Sequence, residues 1–123
     1  MPLSPLDQTL AALDALHAED PRRVAVNGEP VPQELWHAGR MSAWLEQLHE
    51  RPDALMQLAV RGQHLQRWEV PRSDYPEGRV GYLTWRRDQG RRAGETTARL
   101  MREAGFDDAS AEAVARMIRK QGL

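Results

Sequence analysis

The sequence holds 123 residues, which is the size of one domain with a single modest core. Hydrophobic residues make up 41% and charged residues 28%, a balance typical of soluble globular proteins and not of disordered chains. The chain contains no cysteine, which excludes disulfides and thiol chemistry. No apolar run approaches the roughly 18 residues that cross a bilayer, and the opening MPLSPLDQTL lacks the features of a signal peptide. We therefore expect one cytoplasmic domain over residues 1–123 that does not bind membranes.

The net charge of −1 conceals an uneven distribution along the chain. Residues 1–60 carry four arginines against nine acids, whereas residues 61–103 carry ten arginines against six acids. Lys120 is the single lysine. The planar guanidinium of arginine suits two-point contacts with carboxylate or phosphate, although a GC-rich genome produces the same bias without a functional reason. Genomic bias explains less well why arginines gather beside His64 and Trp68.

The first helix is predicted from the run Ser4-Pro5-Leu6-Asp7. Ser4 is a suitable cap, proline suits the first turn, and an acid favours the positive end of a helix. Leucines then recur at helical spacing through Leu16. The following run EDPRRVAVNGEPVP (19–32) has three prolines and an Asn-Gly pair, which predicts a connecting loop.

Pro32 begins a second predicted helix, QELWHAGRMSAWLEQLHE. Its stripe at helical spacing consists of His37, Met41, Trp44, Leu45 and Leu48. We therefore expect His37 to lie in line with the buried face.

The rest of the chain also has helical periodicity. A third helix is predicted from Pro52-Asp53 towards Trp68. The segment 78–104 can form one long helix or two shorter ones broken near Gly90, and a stripe of residues at helical spacing from Tyr82 to Leu100 favours one continuous helix. Gly105 ends that region, and a last helix, capped by Ser110, runs to Gly122. Because no segment alternates with period two for long enough to predict a strand, we expect an all-α bundle of about five helices.

Four histidines are the first candidates for chemistry. His17 and His49 fall in the last turns of predicted helices, where they are interpreted as structural. His37 and His64 are predicted to face the same groove between two helices. A facing pair of histidines can bind a divalent metal, but such sites normally use three or more protein ligands. Glu34, Glu69 or Asp74 would complete the set only if the fold brings one of them close.

The arginines around these histidines favour a different site. Guanidinium groups beside imidazole and indole rings form a pocket for phosphate or carboxylate with a flat ring nearby. The candidate ligand-binding residues are His37, Arg40, Arg61, Gln63, His64, Trp68, Glu69, Arg72 and Tyr82. The simpler alternative is that the arginines form ion pairs, Arg40 with Glu34 or Glu46 and Arg67 or Arg72 with Glu69, while the tryptophans pack in or near the core.

Binding to nucleic acid is the third possibility considered. Arg86-Arg87 and Arg91-Arg92 flank Gly90 and would form a basic ridge on a helix. Asp88 and Glu95 interrupt that ridge, and the whole chain is slightly acidic. We therefore expect a solvated helix face and no nucleic-acid partner.

Three segments resemble an uncharacterised family, the domain of unknown function 4202: ELWHAGRMSAWL, LAVRGQHLQRWEVPRSDYPEGRVGYLTWRR and LMREAGFDDASAEAVARMIRKQGL. More distantly, the pattern is similar to the HD metal-dependent phosphohydrolases, and this resemblance implies an HD-like helical fold. His37 matches the first histidine of that pattern, and Gln63-His64 stands where a His-Asp pair would be. Arg119 and Lys120 replace later histidines. These replacements remove metal ligands, so the resemblance implies a non-canonical or inactive site.

Three hypotheses follow. The first is an HD-like domain that binds a phosphorylated or nucleotide-like anion in a His/Arg pocket without hydrolysing it. The second is a divergent metal-dependent phosphohydrolase whose ligands are His37, His64 and a carboxylate such as Glu69. The third is a protein interaction module that uses the Arg86–Arg92 ridge or exposed tryptophans, with a homodimer as one form. The sequence leaves open whether the chain is an enzyme.

Overall fold

The computed structural model describes residues 3–48 and 52–121, so His49 and Gly122 lie outside the described residues. The predicted mostly helical fold is confirmed, with five α-helices and one small sheet in the described residues. Within them, none of the helices combines the length and apolarity needed to cross a membrane. The helices are α1 (Pro5–His17), α2 (Gln33–Leu48), α3 (Ala54–Gly62), α4 (Arg79–Ala104) and α5 (Asp108–Gln121). Short 3-10 turns occupy Arg67–Glu69 and Arg72–Asp74.

Local chemistry sets the ends of several helices as predicted. The Ser4 hydroxyl accepts the Asp7 N–H at 3.1 Å and caps α1. Segment 79–104 is one continuous helix, which Gly105 ends in the left-handed conformation with φ 109°. The prediction that Ser110 caps the last helix is wrong. Asp107 is the cap instead, because its carboxylate accepts the Ser110 N–H at 2.7 Å.

The segment predicted as a loop forms a β-hairpin. Strands β1 (Arg23–Val26) and β2 (Glu29–Pro32) pair antiparallel. Asn27 and Gly28 both have positive φ, 53° and 83°, as the two central residues of a tight hairpin turn require. Pro30 and Pro32 do not disrupt the pairing: hydrogen-bonded pairs alternate outward from Val26–Glu29, so both prolines fall where no ladder donor is needed.

Two predictions about the second and third helices are also wrong. On α2 the buried residues are Glu34, Ala38 and Leu45, whereas His37 is exposed. The predicted stripe members Met41, Trp44 and Leu48 are exposed by 39%, 55% and 71%. Helix α3 ends at Gly62 and does not continue towards Trp68. The turn that follows contains Gln66 with φ 56°, a left-handed residue that no helix accommodates.

The core lies where α4 packs against α1 and α5 and where α3 packs against α2 and α5. Its fully buried side chains include Leu13, Leu58, Met101, Val114 and Ile118. Helices α4 and α5 approach closely at Gly94, where a Cβ would come within 2.9 Å of the Ala115 carbonyl oxygen. This bundle fixes α2 and α3 side by side, and the candidate site lies between them.

Candidate functional site

A pocket of about 360 Å³ opens between α2, α3 and the turn that follows α3. This volume is at the low end of the range for small-molecule sites. Four of the predicted site residues line it: His37 from α2, and Arg61, Gln63 and His64 from the end of α3. The structure therefore brings the two histidines to one cavity, together with Arg67 from the next turn.

The other predicted site residues lie elsewhere. Arg40 stacks over the Trp36 ring, with Cζ 5.6 Å from the ring centroid, and does not pair with Glu34. Trp68 is half-buried in the first 3-10 turn, and the exposed Glu69 lines a separate cavity. Arg72 and Tyr82 lie together outside the pocket, with Arg72 Cζ 5.9 Å from the tyrosine ring centroid.

Glu34, in the first turn of α2, is the central hydrogen-bonding group of the site. Its side chain is 5% exposed. One oxygen, Oε1, accepts the Gln66 N–H at 2.6 Å, and Oε2 accepts the Arg67 N–H at 3.0 Å. A left-handed residue such as Gln66 costs about 1–2 kcal/mol. The two hydrogen bonds to the Glu34 carboxylate hold this turn and thereby place Arg67 at the pocket.

His17 is paired with Glu34 on its buried side. Its Nδ1 lies 2.7 Å from Glu34 Oε1, and its Nε2 lies 2.8 Å from the Arg61 carbonyl oxygen. Both neighbours are acceptors when Glu34 is ionised, so an imidazolium that donates from both nitrogens satisfies both contacts. A cation next to the last carbonyls of α3 is also favoured by the helix dipole. Because both nitrogens are engaged, His17 has none to offer a ligand.

Asp20 holds the start of α2 from the loop before the hairpin. Its fully buried carboxylate accepts the Glu34 N–H at 2.9 Å and the Arg22 N–H at 2.9 Å. The Arg22 guanidinium donates to both of its oxygens. Burial raises the pKa of Asp20, but these hydrogen bonds from Arg22 and Glu34 outweigh burial and lower it below the usual value. Asp20 thus stays ionised and caps α2, which begins after a proline.

The arginines of the pocket divide into paired and free groups. Arg22 pairs with Asp20, and Arg61 donates to both oxygens of Asp14 at 2.7 and 2.9 Å. Arg67 has no carboxylate within ion-pair distance in the described part of the chain, and its buried Nε has no hydrogen-bond partner there. Its guanidinium lies over the Trp85 ring at 5.3 Å from the centroid. Burial, followed by the charge of Arg86, lowers the pKa of Arg67.

The pKa of His64 is lowered at this end of the pocket. The residue keeps solvent exposure. Even so, burial first, and then the positive charges of Arg67, His37 and Arg86, lower the pKa of His64 to about 4. His64 is therefore neutral near pH 7. His37, whose ring packs edge-on against Trp36 at 5.0 Å, is exposed at the same pocket.

A metal centre in the pocket would need a donor set of His, Asp or Glu side chains around one point. Across residues 3–48 and 52–121, no three His, Asp or Glu side chains are placed to hold a metal ion. Glu69, the carboxylate suggested as the partner of His37 and His64, lies outside the pocket. Both oxygens of Glu34 accept backbone hydrogen bonds instead.

Sequence reasoning did not assign the roles of the residues that organise the site: it named Glu34 only as a possible metal ligand or ion-pair partner, His17 as structural and Arg67 as a possible ion-pair partner, and it gave no role to Asp20 or Arg22. Their contacts span long stretches of chain: His17 meets an atom 44 residues later, and Glu34 meets backbone atoms 32 and 33 residues later. No spacing rule links such positions. The one available signal was Glu34 itself, the single acid in the first turn of α2.

Comparison with known families gives one match. Residues 7–123 match the family described as "Domain of unknown function (DUF4202)". The chain belongs to this family. Neither curated proteins nor solved structures yield a match to this DUF4202 chain. The resemblance noted from the sequence is thus confirmed for the family, while a likeness to HD enzymes is not shown.

Replacing Glu34 tests its role in this DUF4202 chain. We expect Glu34→Ala to lower the free energy of unfolding by about 3–5 kcal/mol, because it leaves the His17 cation and two amides without a partner. Glu34→Gln keeps the shape and one acceptor, so its loss should be smaller. Urea unfolding at neutral pH measures both, with Glu46→Ala on the exposed side of α2 as the control. Equal stability of the two alanine variants would refute the role assigned to Glu34.

The lowered pKa of His64 predicts a pH dependence of stability. Between pH 6.5 and about 4, the unfolded chain binds a proton at His64 that the folded chain does not bind. Stability should therefore fall as the pH falls through this window. In His64→Asn, urea midpoints measured at pH 6.5, 5.5 and 4.5 should fall less steeply than in the wild type. The difference will be smaller than the full shift implies, because His64 is partly solvated. Parallel slopes would contradict the assignment.

Proposed function

We propose that this chain binds a small phosphorylated or nucleotide-like anion in the pocket between α2 and α3 and does not hydrolyse it. The observation that carries the proposal is Arg67. This half-buried guanidinium lines the pocket without an ion-pair partner among the described residues. A buried charge is costly unless it is paired, and a bound anion would supply the missing partner.

The electrostatics of the pocket support an anionic ligand. Arg22, Arg61 and His17 each contact a carboxylate, whereas Arg67 is the arginine of the lining that has no ion-pair partner among the described residues. Burial, together with the positive charges of Arg67, His37 and Arg86, lowers the pKa of His64 to about 4. An anion beside Arg67 and His64 would reverse that effect and favour protonation of the imidazole. His64 and His37 would then donate hydrogen bonds to it.

Binding without hydrolysis is favoured over the alternative of a divergent phosphohydrolase. A metal-dependent hydrolase needs a set of ligands that holds the ion and activates water, and the described residues provide no such set. Both ring nitrogens of His17 are hydrogen-bonded within the protein, so neither is directed at a ligand. An HD-like architecture and a cytoplasmic location, the latter consistent with the lack of cysteine, remain parts of this proposal.

Calorimetric titration with inorganic pyrophosphate tests the anion site. We expect binding by the wild type and a loss of about ten-fold or more in affinity for Arg67→Gln, since a hydrogen bond to a charged group contributes about 1.5–3 kcal/mol. Arg99→Gln is the matched control, because Arg99 is an exposed arginine paired with Glu103 on the distal part of α4. Affinity should also rise as the pH falls from 7.5 to 6, because His64 takes up a proton on binding.

Two outcomes would refute the proposed anion site. One is the absence of any pyrophosphate binding by the wild type. The other is an Arg67→Gln variant that binds as tightly as wild type and Arg99→Gln. Circular dichroism of the variants guards against a loss caused by unfolding.

A second candidate function is self-association through α2. Met41, Trp44 and Leu48 recur at helical spacing and are exposed, which leaves an apolar face on this helix. Exposed apolar faces of this kind occur at protein interfaces, where tryptophan is enriched at the centre. The proposed partner is a second copy of this chain. In a dimer with a two-fold axis, the apolar face of α2 in one copy would pack against the same face in the other copy.

Sedimentation velocity over a range of concentrations tests this association. We expect the wild type to form a dimer and Trp44→Lys to shift it towards the monomer, because the substitution puts a charge at the centre of the contact. Val80→Lys, at an 80% exposed position on α4, should leave the equilibrium unchanged. A wild type that stays monomeric at high concentration would rule out the dimer.

A further inference from the structure

A row of stacked arginine and aromatic side chains runs from the pocket onto the surface of α4. Arg67 lies over Trp85, and the Trp85 and Tyr82 rings are 6.1 Å apart. Arg86 and Arg72 each lie over the Tyr82 ring, with Cζ 5.6 and 5.9 Å from its centroid. We name these five residues the arginine–aromatic strip. The proposed anion site contains its first member, Arg67.

Arg86 connects the strip to the pocket electrostatically. Its charge contributes to the lowered pKa values of both Arg67 and His64. Such an effect requires that Arg86 lies near both side chains, although it does not line the cavity itself. A ligand held at Arg67 and His64 therefore meets further positive charge where it leaves the pocket.

The outer part of the strip is open and is not neutralised by acids. Tyr82 is 41% exposed. In the described part of the chain, neither Arg72 nor Arg86 forms an ion pair; Arg72 is instead held by the carbonyl oxygens of Tyr75 and Gly78, both at 3.2 Å. Asp88, the nearest acid along α4, accepts a hydrogen bond from the Tyr75 hydroxyl at 2.7 Å. The carbonyl contacts hold Arg72, and Arg86 lies over the Tyr82 ring; neither contact neutralises the charge of the arginine.

We propose that the ligand is the phosphorylated end of a single-stranded nucleic acid, whose terminal phosphate enters the pocket while the adjoining nucleotides cross the strip at Tyr82 and Arg86. This inference rests on the proposed anion site. The strip extends outside the pocket, so a ligand that touches both is longer than a sugar phosphate. Alternating guanidinium and aromatic groups are the elements with which proteins bind single strands, since arginines contact the backbone and rings stack on bases.

The distribution of charge reconciles this proposal with the acidic chain as a whole. The overall charge of −1 argues against a long nucleic-acid interface. The strip provides three arginines on a short path, which matches a few nucleotides at a chain end. A duplex offers no splayed bases to stack on Tyr82. Inorganic polyphosphate matches the charge, but it has no flat groups for the rings.

Fluorescence anisotropy and competition titration of the full chain test the inference. The probe is a hexauridylate with a 5′-phosphate and a 3′ dye, and its competitors are the same oligomer without the 5′-phosphate, an oligomer phosphorylated at the 3′ end, pyrophosphate and polyphosphate. We expect a terminally phosphorylated oligomer to bind at least ten-fold more tightly than pyrophosphate or the unphosphorylated oligomer. Tyr82→Ala should weaken its binding about ten-fold, the typical loss when one base loses its stacking partner. Tyr82→Phe should restore it.

The two levels of the proposal fail in different ways. If Arg67→Gln weakens pyrophosphate binding but the oligomer binds no better than pyrophosphate, the nucleic-acid inference is overturned and the anion site stands. If polyphosphate competes as well as the oligomer, and Tyr82→Ala changes the affinity for neither ligand, the strip does not stack bases and the inference is likewise overturned. If neither pyrophosphate nor the oligomer binds, both proposals fail. Tyr82→Ala should leave pyrophosphate binding unchanged, which separates the strip from the pocket.

Discussion

The buried carboxylate of Glu34 is the interaction on which the site depends. It connects the end of α1 through His17, the loop before the hairpin through Asp20, and the turn after α3 through the amides of Gln66 and Arg67. Breaking a buried pair of this kind costs more than forming it contributes, because the partner is left uncompensated.

The buried carboxylate also determines the orientation of α2. If apolar residues alone set the orientation of α2, Met41, Trp44 and Leu48 would face the core. With Glu34 directed at His17 and the turn after α3, Ala38 and Leu45 are buried instead, while His37 faces the pocket mouth. The exposed apolar face and the exposed histidine of α2 thus have one cause. Both proposed contacts of this helix, with an anion and with a second copy of the chain, follow from the same rotation.

Local rules predicted the parts of the structure that local chemistry controls. The Ser4 cap, the continuity of the helix through Gly90 and its end at Gly105 each depend on a few neighbouring residues. The hairpin was missed because three prolines and the Asn27-Gly28 pair were together interpreted as loop signals, although Pro30 and Pro32 lie in the ladder where no donor is needed. The periodicity argument placed His37 on the buried face because it counts apolar residues alone. It takes no account of a polar group, here Glu34, that is buried by partners distant in the sequence. In the site, His37, His64, Arg61 and Gln63 were predicted to come together, but Arg67, Glu34 and His17 required the fold.

The division of charge around Glu34 explains why the pocket is positive. Glu34 binds the backbone of Arg67, yet it forms no ion pair with the guanidinium of that residue. His17 lies 2.7 Å from one Glu34 oxygen on the buried side, and Arg22 Nη2 lies 4.0 Å from the other oxygen. Burial lowers the pKa of Arg67 whereas the charge of Glu34 acts to raise it, and without the His17 contact more of that negative charge would act on the guanidinium. The buried histidine therefore acts on the ligand site without touching a ligand, because it contacts the one oxygen of Glu34 that also accepts the Gln66 N–H and offsets part of the negative charge beside Arg67.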